Sequence, residues 1–394
     1  MDKTLELAKF TDQPFRLLPG EKVTVWAGYK EILNRLLQIV ESPRADKVGL
    51  YEFVVLYGYL GAGKSHALRY LKYIITEKSA DEFRSIVLYV ERLRVASNTD
   101  FMALYRAIMR LLKDDIVRVG AVLSEVIERR VEETWSVQPE NIKKRMKKQD
   151  FAKTELPNIY SKLSPTYPAL PRLITAFHEG DNNAMAILAG GKVKGANPAQ
   201  YGLDGFIESE YEALQCLTAF INICTRSNRD LKYSSLYKCF YLFIDEFERI
   251  KDFPTRNAQS INQGLRDLLN GCPERFCLLL GASAEASEIE AYMEEDVMVR
   301  LSRDLIEIPS LDENQAVDFI KEVIKIYRRP KAKVSKTYPF DEEALREIAL
   351  QTTERTARNL FRACQTVLQK SVLSGRLESN GIITKADVLE FIVM

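Results

Sequence analysis

The stretch Leu56–Ser65, L-Y-G-Y-L-G-A-G-K-S, restricts the fold more than any other part of the chain. Gly58, Gly63, Lys64 and Ser65 complete the pattern G-x-x-x-x-G-K-[ST], with Gly61 and Ala62 inside it and His66 directly after it. A β-branched and aromatic run, Tyr51–Tyr57, precedes the loop, and apolar residues at helical spacing follow it (Ala67, Leu68, Leu71, Ile74, Ile75). Strand, Gly loop and helix, in that order, is what a phosphate cradle requires. Phosphate oxygens need several converging donors, so the backbone must approach closely with its N–H groups turned inward. The loop glycines permit that approach, and a helix opening near Lys64 adds unpaired N–H groups and a positive dipole end. On this reading Lys64 reaches the β- and γ-phosphates of a nucleoside triphosphate and the Ser65 hydroxyl ligates Mg²⁺.

Such a loop needs a carboxylate partner, and Cys239–Glu246, C-F-Y-L-F-I-D-E, supplies one. It reads as a buried strand ending in Asp245, placed to hold Mg²⁺, and Glu246, placed to polarise an attacking water as general base. Ser283, just past the predicted strand Phe276–Gly281, admits two roles: contact with the γ-phosphate or lytic water, and N-cap of a following helix. Arg300 and Arg303, in V-M-V-R-L-S-R, are candidates for insertion into a neighbouring subunit's γ-phosphate site, since a guanidinium is permanently charged and forked; spacing alone equally allows plain surface cations.

Around these motifs the chain alternates strands and helices. Val25–Val40 predicts an amphipathic helix carrying Ile32, Leu33, Leu36, Leu37 and Val40 on one face. Ser85–Val90 predicts a second strand and Phe101–Leu112 the next helix, which opens a parallel sheet covered on both faces. Residues 113–208 are too long for an ordinary connection and form an insertion. They hold a charged helical piece (Ala121–Glu133), a basic run (Lys143–Lys148) and a proline-punctuated stretch (Pro157, Pro165, Pro168, Pro171). Helix Ser209–Arg226 closes this middle region; helix Ala258–Asn270 and a short strand Leu305–Ile308 come later. From Asp312 the period is purely helical, with starts at Asp312/Gln315, Asp341 and Thr384/Asp387. Two units are therefore expected: an α/β domain over 1–310 that contains the insertion, and a helical lid over 311–394. Arg358, near a helix start in T-T-E-R-T-A-R-N-L-F-R, is placed to reach back to a nucleotide, or to face solvent.

Composition excludes several classes. Lys plus Arg number 56 against 55 Asp plus Glu, so no bulk field draws the chain to nucleic acid or to a membrane. No stretch approaches the ~20 apolar residues of a membrane span, and residues 1–10 lack the apolar core of a secretory signal, so cytoplasm is the expected compartment. The six cysteines form no C-x-x-C pair and histidines number two, which points to reduced packing cysteines and away from a zinc site.

The order of phosphate loop, D-E strand end, polar residue after the next strand, paired arginines before a short strand and a helical lid with T-A-R-N-L resembles that of AAA+ ATPases. Within that superfamily the chain is similar to the origin-initiator and STAND-like branch. Trp26-Ala-Gly-Tyr-Lys-Glu resembles the adenine-cradling element of that branch, with Tyr29 where Arg is usual. The resemblance implies a parallel sheet of order 5-1-4-3-2, ATP with Mg²⁺ at a subunit interface, Arg300 or Arg303 as a finger supplied in trans, Ser283 as first sensor and Arg358 as second. The loop sequence and F-I-D-E-F-E also resemble the stand-alone ATPases of bacterial phage-defence systems of the BREX and phosphorothioate-sensing kinds. That likeness implies an ATPase working beside a nuclease or methyltransferase on DNA.

The basic run Lys143–Lys148 and the link Arg328–Lys336 could each contact DNA phosphates, and each reads equally as a solvated loop. A transposition helper that polymerises on DNA, and an ATP-dependent scaffold with little hydrolysis, are the competing expectations.

Overall fold

A computed structural model describes residues 3–17, 20, 23–42, 52–93, 99–285, 288–289 and 305–392. Its centre is a five-stranded sheet of β1 (Glu52–Tyr57), β2 (Ile86–Val90), β3 (Phe240–Ile244), β4 (Phe276–Ala282) and β5 (Leu305–Glu307), in the order β2-β3-β4-β1-β5. All four pairings are parallel. Counted from the β5 edge, the order is the 5-1-4-3-2 that the family resemblance implies.

Apolar runs without alternation suit β3 and β4 to the interior of the sheet, where, as for β1 between β4 and β5, both faces are covered. Period-2 geometry then sorts their side chains. Phe240, Leu242 and Ile244 join one core with the helices Phe101–Leu111, Glu210–Thr225 and Thr255–Gly271. Tyr241 and Phe243 join the opposite core with the helix Lys64–Tyr73 that follows the Gly loop and the helix Lys30–Glu41. The last of these, expected within Val25–Val40 with its entry at Gly28, begins at Lys30, because Gly28 and Tyr29 are both left-handed (φ 64° and 45°) and break the helical path. Val25 and Trp26 are thereby left as an extended arm.

Between the Phe101–Leu111 helix and β3 the described chain is helical: Lys113–Ser136, Glu140–Arg145, Lys148–Leu163, Ala169–His178 and Asn182–Leu188. The expected piece Ala121–Glu133 is the middle of the first of these. Gly120 lies inside that helix rather than ending it, and a Cβ there would come within 2.5 Å of His178 Cβ, so the glycine lets two helices cross closely. Ile116, Val119 and Leu123 share one core with Leu170, Leu173, Ile174 and the sheet, which roots this region in the β3 side of the molecule. The basic run is divided: Lys143, Lys144 and Arg145 finish one short helix and Lys148 starts the next.

The C-terminal helices include Glu313–Tyr327, Glu342–Gln351, Ala357–Leu373 and Lys385–Ile392. Their starts follow the capping residues: Asp312 and Gln315 form a reciprocal capping box, Asp341 accepts from Ala344 N–H, and Asp387 accepts from Thr384 N–H. Phe10 and Phe15, near the start of the chain, are buried in the core of these helices. Main-chain bonds fix them there, Thr11 N to Tyr327 O at 2.8 Å and Arg329 N to Lys9 O at 2.9 Å. Among the described residues no helix is long and apolar enough to cross a membrane.

Candidate functional site

The Gly loop sits at the C-terminal end of β1, and Gly63 (φ 118°) caps the helix Lys64–Tyr73 with no side-chain hydrogen bond to it. The first-turn N–H groups of that helix therefore have no side-chain cap, as an anion site needs. Gly58 is required by close approach: a Cβ there would lie 2.4 Å from Ile308 O. Lys64 is 6% exposed, and its Nζ donates to Gly58 O and Tyr59 O, each at 2.9 Å. Burial pushes its ammonium down to about 8, against the pull of Glu248 and Asp245 in the other direction. Ala62 is buried in the loop and Ser65 lines the same cavity. His66 Nε2 lies 2.9 Å from Val25 O, an acceptor only, so Nε2 is the protonated nitrogen. Burial lowers the pKa of His66, and its ring packs against Trp26, so it fastens the loop helix to the extended arm.

At the end of β3, Asp245 is 3% exposed. Its carboxylate accepts from Tyr89 Oη at 2.7 Å and from Glu246 N–H at 3.0 Å. Tyr89 is in turn steadied by Arg69, whose Nε donates to Tyr89 Oη at 3.3 Å while Nη2 pairs with Glu91 at 2.6 Å. Burial, with the Asp245 charge second, holds the Tyr89 phenol above its ordinary pKa and keeps it a donor. Glu246 is left-handed (φ 50°) and opens a 3₁₀ turn, Phe247–Asp252. Arg249 Nε lies 2.9 Å from Glu246 Oε2, off the line of a hydrogen bond, so that buried oxygen has an ion pair but no hydrogen-bond partner. Glu248, two residues on, accepts from Ser283 N–H at 3.0 Å.

Opposite the loop, Arg358 at the start of its helix donates its main-chain N–H to Gly61 O at 3.1 Å. The two backbones are so close that a Cβ on Gly61 would lie 2.7 Å from Arg358 Cβ. Beyond Arg358 an aromatic wall continues the cleft, with Phe319 and Phe361 stacked at 5.5 Å and Tyr29 tilted against Phe319. Trp26 Nε1 donates to Gly28 O at 2.6 Å, Gly28 N donates to Glu322 at 2.8 Å, and Tyr29 Oη donates to Pro309 O at 2.9 Å. These elements enclose one cavity of about 330 Å³. Gly61, Ala62, Gly63, Lys64, Ser65, His66, Asp245, Glu246, Ser283 and Arg358 all line it. Gly58 holds the base of the loop, and Arg300 and Arg303 lie outside the described residues.

The donor set fits a nucleoside triphosphate with a divalent cation. Main-chain N–H groups and an ammonium face one end, a hydroxyl and a buried carboxylate lie beside them, and an aromatic slot opens at the other end. Sequence reading missed Glu248, Tyr89 and Arg69. Glu248 stood in the quoted F-I-D-E-F-E, but nothing local told it from a solvated acid. Asp12, Pro14 and Arg16 also line the cavity, and no sequence signal marks them.

No family model matches the chain, and no curated protein matches its sequence. Solved structures do match. The ORC2 protein of Aeropyrum pernix in ADPNP–ADP complexes is 13% identical, with 97% of this chain and 72% of that one covered at a TM-score of 0.51. Cdc6p from Pyrobaculum aerophilum is 14% identical over 95% and 68% of the two chains, at 0.46. Domain III of the replication initiation protein DnaA from Thermotoga maritima is 11% identical over 96% and 100%, at 0.41. The first likeness shows the fold alone: the five-stranded parallel sheet and its flanking helices are arranged as in that ORC2 protein.

Proposed function

We propose that the chain is an ATP-hydrolysing AAA+ subunit that assembles through its nucleotide interface and drives or gates a DNA-directed complex. One observation carries the nucleotide reading: residues from the Gly loop, the β3 end, the β4 end and the Ala357–Leu373 helix line a single cavity. In that cavity Lys64 and the loop N–H groups hold phosphates, Glu246 takes the proton of the attacking water, and Arg358 neutralises charge from the helical side. Ser65 and Asp245 would hold Mg²⁺, which supplies Lewis-acid charge at the phosphates when bound. Arg300 or Arg303 completes the site of a neighbouring copy. The unit over 1–310 bears the sheet with its insertion at 113–208 and the unit over 311–394 acts as the lid, except that the segment of Phe10 and Phe15 packs into the core of the lid helices. The partner served is a nuclease, methyltransferase or other effector; bacterial phage defence is the setting to which the motif resemblance points.

The ion pair between Glu246 and Arg249 favours a second reading, an ATP-dependent scaffold with little hydrolysis. Steady-state ATP turnover across a protein concentration series, with and without duplex DNA, tests both. A rate per subunit that climbs with concentration and with DNA supports the first reading. Tight ATP binding with a flat, negligible rate, and partner binding kept in Glu246→Gln, selects the scaffold.

A further inference from the structure

The strands β3 and β4 are paired from Phe240↔Phe276 to Ile244↔Leu280, and β4 stays paired to β1 as far as Tyr57↔Ala282. Ser283 is the first residue beyond both ladders. A main-chain N–H there needs an acceptor from elsewhere. Glu248 provides it with its Oε2 at 3.0 Å, across 35 positions of sequence. The carboxylate is well anchored for this role, because Phe247 and Ile250 of its turn are buried in the sheet's main core. Glu246 and Glu248 both line the cavity with Lys64 and Ser283, but Glu246 is paired with Arg249 while Glu248 holds the Ser283 main chain.

We infer that Glu248 is a positioning residue for hydrolysis: its carboxylate clamps the Ser283 main chain and so fixes the Ser283 hydroxyl relative to Lys64 and the D-E strand end. The inference rests on the nucleotide reading of the cavity. A hydroxyl that must meet a reacting phosphate or water gains from a fixed backbone, and a displacement of ~1 Å at such a site is enough to cost ~100-fold in rate. The sheet ladder cannot fix it, since it ends one residue earlier. The acceptor oxygen is what the clamp requires; its negative charge is not.

The test compares the full-length wild-type chain with Glu248→Ala, Glu248→Gln and Ser283→Ala. ATP affinity, turnover and hydrogen exchange at the Ser283 amide are measured on each. Glu248→Ala is expected to lower turnover by about 10- to 100-fold with ATP affinity changed less than about 3-fold, the split that marks an interaction used in the transition state. Its Ser283 amide should exchange faster than in the wild type. Glu248→Gln, whose amide oxygen accepts the same N–H, should recover most of both losses. The double variant Glu248→Ala/Ser283→Ala should be no worse than the poorer single one, since the two act as a unit. Additive losses, a Gln variant as poor as the Ala variant, or unchanged amide exchange each overturn the clamp. A wild-type chain that binds ATP without turning it over also overturns it and leaves the nucleotide site standing. A wild-type chain that binds no nucleotide overturns the underlying reading.

Discussion

At Gly61 the phosphate loop meets the C-terminal helices in close contact, and its substitution by alanine has a cost that the structure separates into two parts. The residue has φ +83°, so any Cβ brings backbone strain of about 1–2 kcal/mol. That Cβ would also lie 2.7 Å from Arg358 Cβ and 3.3 Å from Arg358 Cδ. Arg358 Cβ is one bond from its helix backbone, so relief requires the helix to move, an overpacking cost of about 1–3 kcal/mol. Gly61→Ala should therefore destabilise the protein by about 2–5 kcal/mol. Gly195 is a matched control, with φ +84° and nothing within 4 Å of the place a methyl group would take, so Gly195→Ala carries the strain without the collision. Denaturant unfolding of the two variants beside the wild type reads the difference. ATP affinity should fall in Gly61→Ala alone, because movement of the helix shifts Arg358 and widens the cleft. Equal destabilisation of the two variants, within about 0.5 kcal/mol, would refute the contact between loop and helix.

Further substitutions address single groups. Lys64→Ala should abolish nucleotide binding by calorimetry or by a fluorescent analogue, and retained tight binding would remove the phosphate-loop assignment. Because burial lowers Lys64 from the ordinary 10.5 to about 8, the cost of holding the ammonium is present below about 8 and is relieved as pH rises from there towards 10.5. ATP affinity should accordingly weaken as pH rises through the folded-state value, since the neutral amine loses its charge on the phosphates. Titration at pH 7 and again above 9 checks the sign. Tyr89→Phe removes a donor from the buried Asp245 and should lower stability by about 1–3 kcal/mol; an unchanged thermal midpoint would show that Asp245 is satisfied otherwise. Arg300→Ala or Arg303→Ala should cut turnover while sparing ATP binding. Mixing with a subunit that lacks its own Glu246 but keeps both arginines should then restore activity, and turnover unchanged in both variants would place the finger elsewhere.

What the sequence disclosed and what it withheld divide along the range of the forces involved. The strand–loop–helix order and the helix starts at Asp312, Asp341 and Thr384 depend on neighbours within a few positions, so period and capping residues reveal them. The buried run F-Y-L-F-I announced an inner strand for the same reason. The bond between Glu248 and Ser283, the contact of Gly61 with Arg358 and the burial of Phe10 and Phe15 beneath the C-terminal helices depend on where distant segments meet. No local pattern carries that information. The insertion shows both cases at once. Only the charged piece Ala121–Glu133 was legible there as helix; that the helix runs on through Gly120 depends on the distant helix bearing His178, which crosses at that glycine.

The cavity's construction bears on how such a site could drive anything. Its phosphate end is built on β1, β3 and β4, whose register is fixed by continuous ladders. Its other walls come from Phe319, Arg358 and Phe361 on the C-terminal helices and from the segment of Asp12 and Arg16, which is bonded to those same helices. Among the described residues, links between the two sides include Arg358 N to Gly61 O, Gly28 N to Glu322 and the ring contact of Tyr29 with Phe319. A ligand shifts a conformational equilibrium only by the difference in its interactions with the two states. A group that fills this cavity touches both sides, so changing its charge or length alters contacts on each. Two side chains of the phosphate end already have internal partners, Lys64 on its own loop carbonyls and Glu246 beside Arg249. On the proposed nucleotide reading, exchange of those partners for phosphate and water is the local change expected to alter the loop's contact with Arg358.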